Sequence, residues 1–177
     1  MSDDGMQHAA GAAPANKRIT AKALTAEAFA RFGDVTSLLG TERRTYLSRA
    51  FESDHTGKGP EMWIGLPPVV KPLPLTIERL ERHPHATQTF VPIDAGRYLV
   101  VVAEPAADGT PDVATLQAFI AEPTQAVTYG VNVWHHGLTV IDRQTRFVTL
   151  MADYRTGDDD VFVTLSEQVD VVTEAQP

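Results

Sequence analysis

Cysteine is absent from this 177-residue chain. That excludes disulfides, thiol nucleophiles and cysteine-ligated zinc, and it is compatible with a reducing cytosol without requiring one; the expected location is cytoplasmic. No apolar run approaches the roughly 18 residues that cross a bilayer. The N-terminus lacks the charged-then-apolar pattern of a signal peptide, and no membrane association is expected. Positive charge is scarce: 15 Lys and Arg stand against 23 Asp and Glu, a net charge of −8. General affinity for nucleic acid or anionic membranes is therefore not expected. A small anionic substrate remains open, because a local basic pocket can outweigh the net field. No phosphate-binding glycine loop, Gly-x-Ser-x-Gly elbow or His-Glu-x-x-His pair occurs. Nucleotide, serine-hydrolase and zincin chemistry therefore have little support.

What is present reads as one domain, large enough to bury a core. Residues 1–18 are small and polar and read as a disordered leader, 19–172 as a single catalytic domain, and 173–177 as a flexible tail. Thr25 is placed to cap a short helix over 26–32, with Gly33 as its left-handed stop and Leu24 against Phe29 at its entry. Segments 45–47 and 50–51 are candidate strands. Residues 61–70 read as strand broken by Pro67-Pro68, and 73–82 as strand because Pro72 and Pro74 oppose a helix start. Residues 87–91 and 97–103 flank Asp94-Ala95-Gly96 and read as a hairpin. Tyr98 to Ala103 is apolar on both faces, which predicts a central strand covered on both sides. Asp112 is placed to cap a one- or two-turn helix through 115–120, in which Leu116, Phe119 and Ile120 share a face. Residues 127–129, 138–142, 145–152 and 161–165 read as strands. Many short strands with turn signals between them and little helix predict a mainly β sandwich or barrel.

Four of the six histidines form two clusters, His83-Pro84-His85 and His135-His136. His8 falls in the leader and His55 in a loop, and both read as inert. Two histidines two apart on a strand point to one face, so both imidazoles can meet one metal ion. The pattern is similar to the first metal motif of cupin jelly-roll barrels, in which His-x-His precedes a carboxylate or Gln and a Gly turn. Gln88 and Gly96 stand in those places. A later strand supplies one more histidine, for which His135 or His136 is available. The expected metal set is His83, His85, Gln88 and His135, around a divalent ion such as nickel, zinc or manganese. Against it, Pro84 disrupts the pleat and would leave His85 at the surface.

The second cluster also has a metal-free reading. Adjacent strand residues face opposite ways, so one of His135 and His136 faces a pocket while the other packs. An imidazole with a pKa of about 6.5 suits acid–base work at neutral pH. Trp134 either walls the pocket or fills core. Lys71, Arg97, Arg143, Arg146 and Arg155 are candidates for holding a substrate carboxylate, whereas Glu78 and Arg79 read as a solvated strand face. Asp153 follows an apolar strand and is placed for a barrel mouth.

Several segments in order, Leu73 to Pro84, Thr87-Gln88-Thr89-Phe90-Val91-Pro92, Leu116 to Ile120 and Tyr129 to His136, resemble the ureidoglycolate lyase family, as does Phe32-Gly33-Asp34-Val35. The resemblance spans roughly residues 19–170 and is densest over 73–153. It implies a cupin-like jelly-roll β-barrel with a few short helices, a homodimer, and a place in allantoin (purine) catabolism. The implied activity is a carbon–nitrogen (amidine) lyase that splits (S)-ureidoglycolate into glyoxylate and urea. A hydrolase releasing ammonia and carbon dioxide is the older description. Under this reading His135, His136 and His83 are the catalytic candidates, and Gln88, Tyr129, Trp134, Lys71 and Asp153 the substrate-binding ones. The chain departs from the family's pattern in places. The family's Arg after an apolar strand is missing near Gly65-Leu66; if that Arg holds the substrate carboxylate in the family, this chain must use another cation, such as Lys71 or Arg49, or a different substrate. Two alternatives therefore stay open: a related cupin acting on another ureido or 2-hydroxy acid, and a non-catalytic small-acid-binding protein.

Overall fold

The computed structural model describes residues 16–54, 59–67, 70–94, 96–152 and 159–174. Every residue of β7 (Tyr98–Ala103) is buried. Their side chains divide by parity, as a strand requires. Leu99, Val101 and Ala103 join a core with Ile77, Leu80, Trp134 and Val169. Tyr98, Val100 and Val102 join another with Phe29, Phe90, Tyr129 and Phe147. The strand expected to be covered on both sides is therefore central and so covered.

Two sheets produce these cores. The first runs β1 (Lys17–Thr20), β13 (Val161–Val172), β5 (Leu75–Arg82), β10 (Trp134–His135), β7, β8 (Gln117–Ala121) and β2 (Lys22–Ala23), with β11 (Thr139–Val140) also on β7. Its end strands, β1 and β2, are separated in sequence by Ala21 alone. That short link draws the two edges together, so the sheet nearly closes around the first core. The second sheet runs β3 (Gly33–Ser37), β9 (Gln125–Tyr129), β6 (Gln88–Pro92), β12 (Phe147–Ala152) and β4 (Pro60–Gly65). The second core fills the space between this sheet and the barrel. The architecture is mainly β and consistent with a cupin jelly roll.

Several expected elements differ. Residues 87–103 do not form a hairpin: β6 pairs with β9 and β12, and β7 with β8, β10 and β11. The turn at Asp94 marks a change of sheet. A strand apolar on both faces needs a layer on each side, and a turn signal reports reversal without naming the partner. The expected helix through 115–120 is a single 3-10 turn over Val113–Thr115, capped by Asp112, followed by β8. Leu116 and Ala118 enter the first core and Phe119 and Ala121 the second, which is strand alternation. The N-terminal helix α1 is shorter than expected, Ala26–Phe29, and Thr25 caps it by accepting from the Ala28 N–H at 3.2 Å. Segments 45–47 and 50–51 are turns and irregular chain. β1 begins at Lys17, inside the stretch expected to be a leader, and residues 1–15 lie outside the described residues. No helix among the described residues is long and apolar enough to cross a membrane.

Candidate active site

The register of β5 and β10 sets Glu81 opposite His135. Such pairs stand about 5 Å apart at Cβ on one face of the sheet, and His135 Nε2 lies 3.6 Å from Glu81 Oε1. The turn before β10 draws His83 into the same place. Asn132 there adopts a left-handed φ of 65°, and its N–H donates to the His83 carbonyl at 2.7 Å. Asn tolerates that conformation because its side chain can bond locally. The His83 and His135 ring centroids are 5.2 Å apart. Glu81, His83 and His135 each offer one ligand atom within 4.8 Å of the others.

Both imidazoles are oriented through Nδ1. That of His83 donates to the Asp159 carbonyl at 2.8 Å, with the Asp160 carboxylate 3.2 Å away. That of His135 donates to the Val133 carbonyl at 2.9 Å. A carbonyl only accepts, so each Nδ1 carries a proton, which leaves Nε2 as the position through which a neutral imidazole accepts. Both Nε2 atoms are buried without a hydrogen-bond partner, and so is Gln88 Oε1. Buried polar atoms are rarely left unpaired, so these three call for a ligand.

A cavity of about 350 Å³ lies between the sheets beside them. Glu81 and His83 wall it from the barrel, and Gln88, Phe90, Thr149 and Trp63 from the second sheet. Thr149 is in register with both Trp63 and Phe90, so the three form one row across β4, β12 and β6. Burial and the neighbouring His83 push the His135 pKa down to about 3. Burial pushes that of Glu81 upward, against the opposing pull of His83. At neutral pH the site therefore pairs a neutral imidazole acceptor with a carboxyl that holds its proton to higher pH than an exposed one. Divergent environments of this kind separate an acid from a base. Two imidazole nitrogens and a carboxylate also suit a divalent transition metal. The unpaired Nε2 atoms fit that use, with Gln88 Oε1 as a further oxygen.

The model of a protein family described as ureidoglycolate lyase matches residues 16–172. The chain belongs to this family. A ureidoglycolate lyase of Schizosaccharomyces pombe is 35% identical over 177 residues, covering 85% of this chain and 93% of its own. A relative in Agrobacterium fabrum, provisionally named for the same activity, is 38% identical over 155 residues, covering 88% and 95%. A ureidoglycolate lyase of Escherichia coli is 50% identical over 78 residues, covering 44% and 48%.

Of the residues expected at this family member's site, His83, His135 and Gln88 come together. His85 does not join them. β5 ends at Arg82, so His83-Pro84-His85 is not a pleated strand, and His85 Nδ1 lies 3.1 Å from Asp54 Oδ1. Glu81 takes the place expected of His85. Trp134 does not wall the cavity. The alternation that faces His135 toward the second sheet turns Trp134 into the barrel, where its Nε1–H donates to the Gly109 carbonyl at 3.1 Å. Tyr129 lies beneath His135, its ring stacked on the imidazole. His136 and Lys71 line an adjoining chamber. Arg49 is bound by Glu52 at 2.9 Å and lies 3.7 Å from Asp34. Asp153 lies outside the described residues. Sequence reasoning misses Glu81, Trp63 and Asp160. For Glu81 a signal exists: it stands two residues before His83, at the end of the strand that leads into it. The run of charge over 78–82 hides it, because such a run reads as a solvated edge.

Proposed function

We propose that this protein is a ureidoglycolate lyase, splitting (S)-ureidoglycolate into glyoxylate and urea within allantoin catabolism. The observation that carries the reading is the paired arrangement of His135 and Glu81 beside an open cavity that Glu81 and His83 line, in a chain of this family. The substrate is a carbinolamide, with hydroxyl, carboxylate and ureido nitrogen on one carbon. Its cleavage consumes no water. The hydroxyl loses a proton, its electrons form the carbonyl, the C–N pair leaves with nitrogen, and that nitrogen takes a proton. His135 Nε2 accepts the hydroxyl proton, and the Glu81 carboxyl protonates the leaving nitrogen. Glu81 Oε1 stands 3.6 Å from His135 Nε2, so a small approach of the two side chains, or one bridging water, returns the imidazolium proton to the Glu81 carboxylate. His83 Nε2 and the Gln88 amide are available to the substrate's hydroxyl and ureido groups.

The unpaired acceptors favour a second reading of the same residues. Glu81, His83, His135 and Gln88 would hold a divalent ion such as nickel, zinc or manganese, which supplies polarisation of the substrate hydroxyl. We further assign the protein to the cytoplasm and to a homodimer. Met62 and Ile64, exposed on the edge strand β4, offer an apolar face for that association. Residues 19–172 would act as the catalytic domain. The test is incubation with racemic ureidoglycolate and separate measurement of urea, ammonia and glyoxylate. Urea with glyoxylate is expected. Ammonia without urea would make the protein a hydrolase, and neither product would leave a different small acid as its ligand.

A further inference from the structure

A second chamber of about 230 Å³ adjoins the first and shares Glu81, Leu138 and Phe162 with it. Its charge differs. Lys71 and Arg79 both line it. Among the described residues neither is held in an ion pair, whereas Arg31, Arg49, Arg97 and Arg146 are each bound to a carboxylate. In a chain of net charge −8, two cations outside any ion pair on one cavity lining, against the single carboxyl of Glu81 there, run against the overall field.

Both cations stand on anchored backbone. The Lys71 N–H donates to the Val140 carbonyl at 2.8 Å. Arg79 sits within β5 opposite Thr164, and its guanidinium lies 5.2 Å from the Phe162 ring centroid. An aromatic face steadies a guanidinium without cancelling its charge. The fields of Lys71 and Arg79 both reach the His136 ring, which walls the chamber. Gly137 completes the opening. A Cβ at that position would lie 3.4 Å from Glu81 Oε1, so the missing side chain leaves the carboxyl bare on this side.

We propose that this chamber is the anion subsite, in which Lys71 and Arg79 hold the carboxylate of a small 2-hydroxy or 2-oxo acid. The inference rests on the lyase reading for its substrate and extends it by placing that substrate. A carboxylate in the second chamber and a ureido arm in the first bring the carbinol carbon to Glu81, the wall common to both. Glyoxylate keeps the carboxylate and urea lacks it, so the chamber retains the first product and not the second.

The test compares the wild type with Lys71→Met, Arg79→Met and Arg79→Lys, by calorimetric titration with oxamate and by kinetics on ureidoglycolate. Charge-assisted contacts to a carboxylate justify an expected loss of about tenfold or more in oxamate affinity for each Met variant. A comparable rise in KM should accompany it, with a smaller change in kcat, and Arg79→Lys should recover most of the loss. His135→Gln should instead lose kcat and keep oxamate. Unchanged oxamate affinity and KM in both Met variants, or no oxamate binding by the wild type, would overturn the subsite. Loss of oxamate binding in the Met variants of a protein inactive on ureidoglycolate would uphold the subsite and overturn the substrate.

Discussion

The His135 imidazole lies flat on the Tyr129 ring, with centroids 4.1 Å apart and planes 13° from parallel. Tyr129 belongs to β9 of the second sheet and His135 to β10 of the barrel. The contact therefore sets the imidazole's tilt from outside its own sheet, while the Val133 carbonyl sets its tautomer. Tyr129 in turn rests edge-on against Phe29 and Phe90. Tyr129→Ala should cost about 3–5 kcal/mol of stability, as aromatic truncation in a core does, and should lower kcat. Tyr129→Phe keeps the stack and should resemble the wild type in urea unfolding and in turnover. A Phe variant as inactive as the Ala variant would give the hydroxyl a direct role in binding the ureido group.

Acid should destabilise the metal-free protein well above the usual carboxylate range. His135 and His136 are buried, chiefly by which their pKa values are pushed down to about 3 and about 4. In the unfolded chain both return to about 6.5. Between these limits the unfolded chain binds more protons, so stability falls as pH drops below about 6.5 and continues to fall toward the folded pKa values. Each unit is worth about 1.4 kcal/mol, so the loss from pH 7 to pH 4 is on the order of 5 kcal/mol for the two together. Urea midpoints across that range measure it. His136→Gln should flatten the dependence by about half, and an equally steep curve in that variant would assign the acid sensitivity elsewhere.

The limits of the sequence reading follow from the range of each signal. The doubly covered β7 was legible because two apolar faces are a local property of Tyr98 to Ala103. The pairing of β6 and β7 was not, since partner choice depends on where the chain's other strands lie. His83 and His135 stood out as types suited to chemistry. Glu81 did not, because its role comes from facing His135 across β5 and β10, a register that no short stretch encodes. Trp134 was ambiguous for the same reason: parity decides its face, and parity needs the boundary of a strand only two residues long. Lys71 was one basic candidate among several; the structure binds Arg97 and Arg146 to carboxylates and sets Lys71 at the chamber beside Glu81, while Arg155 lies outside the described residues.

Gly33 should not tolerate a side chain. Its φ is +149°, and a Cβ there would fall 1.9 Å from the Thr128 carbonyl oxygen. It opens β3 opposite Tyr129 in the ladder with β9. Relief would require β3 to move away from the strand that carries Tyr129. Gly33→Ala should therefore destabilise by more than about 2 kcal/mol, combining backbone strain with overpacking. Chemical unfolding checks this, and a wild-type midpoint in the variant would contradict the close strand approach. Gly109 is the control. Its φ is +82°, but nothing lies within 4 Å of an added Cβ, so Gly109→Ala should cost only the backbone term, about 1–2 kcal/mol.

Metal titration distinguishes Glu81 from His85 as a ligand. A histidine pair two apart suggests His83 with His85, yet His85 Nδ1 faces Asp54 while Glu81, His83 and His135 present their ligand atoms together. A ligand that binds only the folded state raises the melting temperature in proportion to its binding free energy, about 2.7 kcal/mol at a hundredfold excess over Kd. Zinc, nickel and manganese should each be tried on protein stripped with a chelator. If Glu81, His83 and His135 bind one of them, the melting temperature should rise in the wild type and in His85→Ala. It should not rise in His83→Ala, His135→Ala or Glu81→Ala, and elemental analysis of the same samples should follow that order. A rise lost in His85→Ala and kept in Glu81→Ala would restore the histidine pair as the binding site. Turnover that is unchanged by chelation, with the metal confirmed absent, would leave Glu81 and His135 to act as acid and base alone.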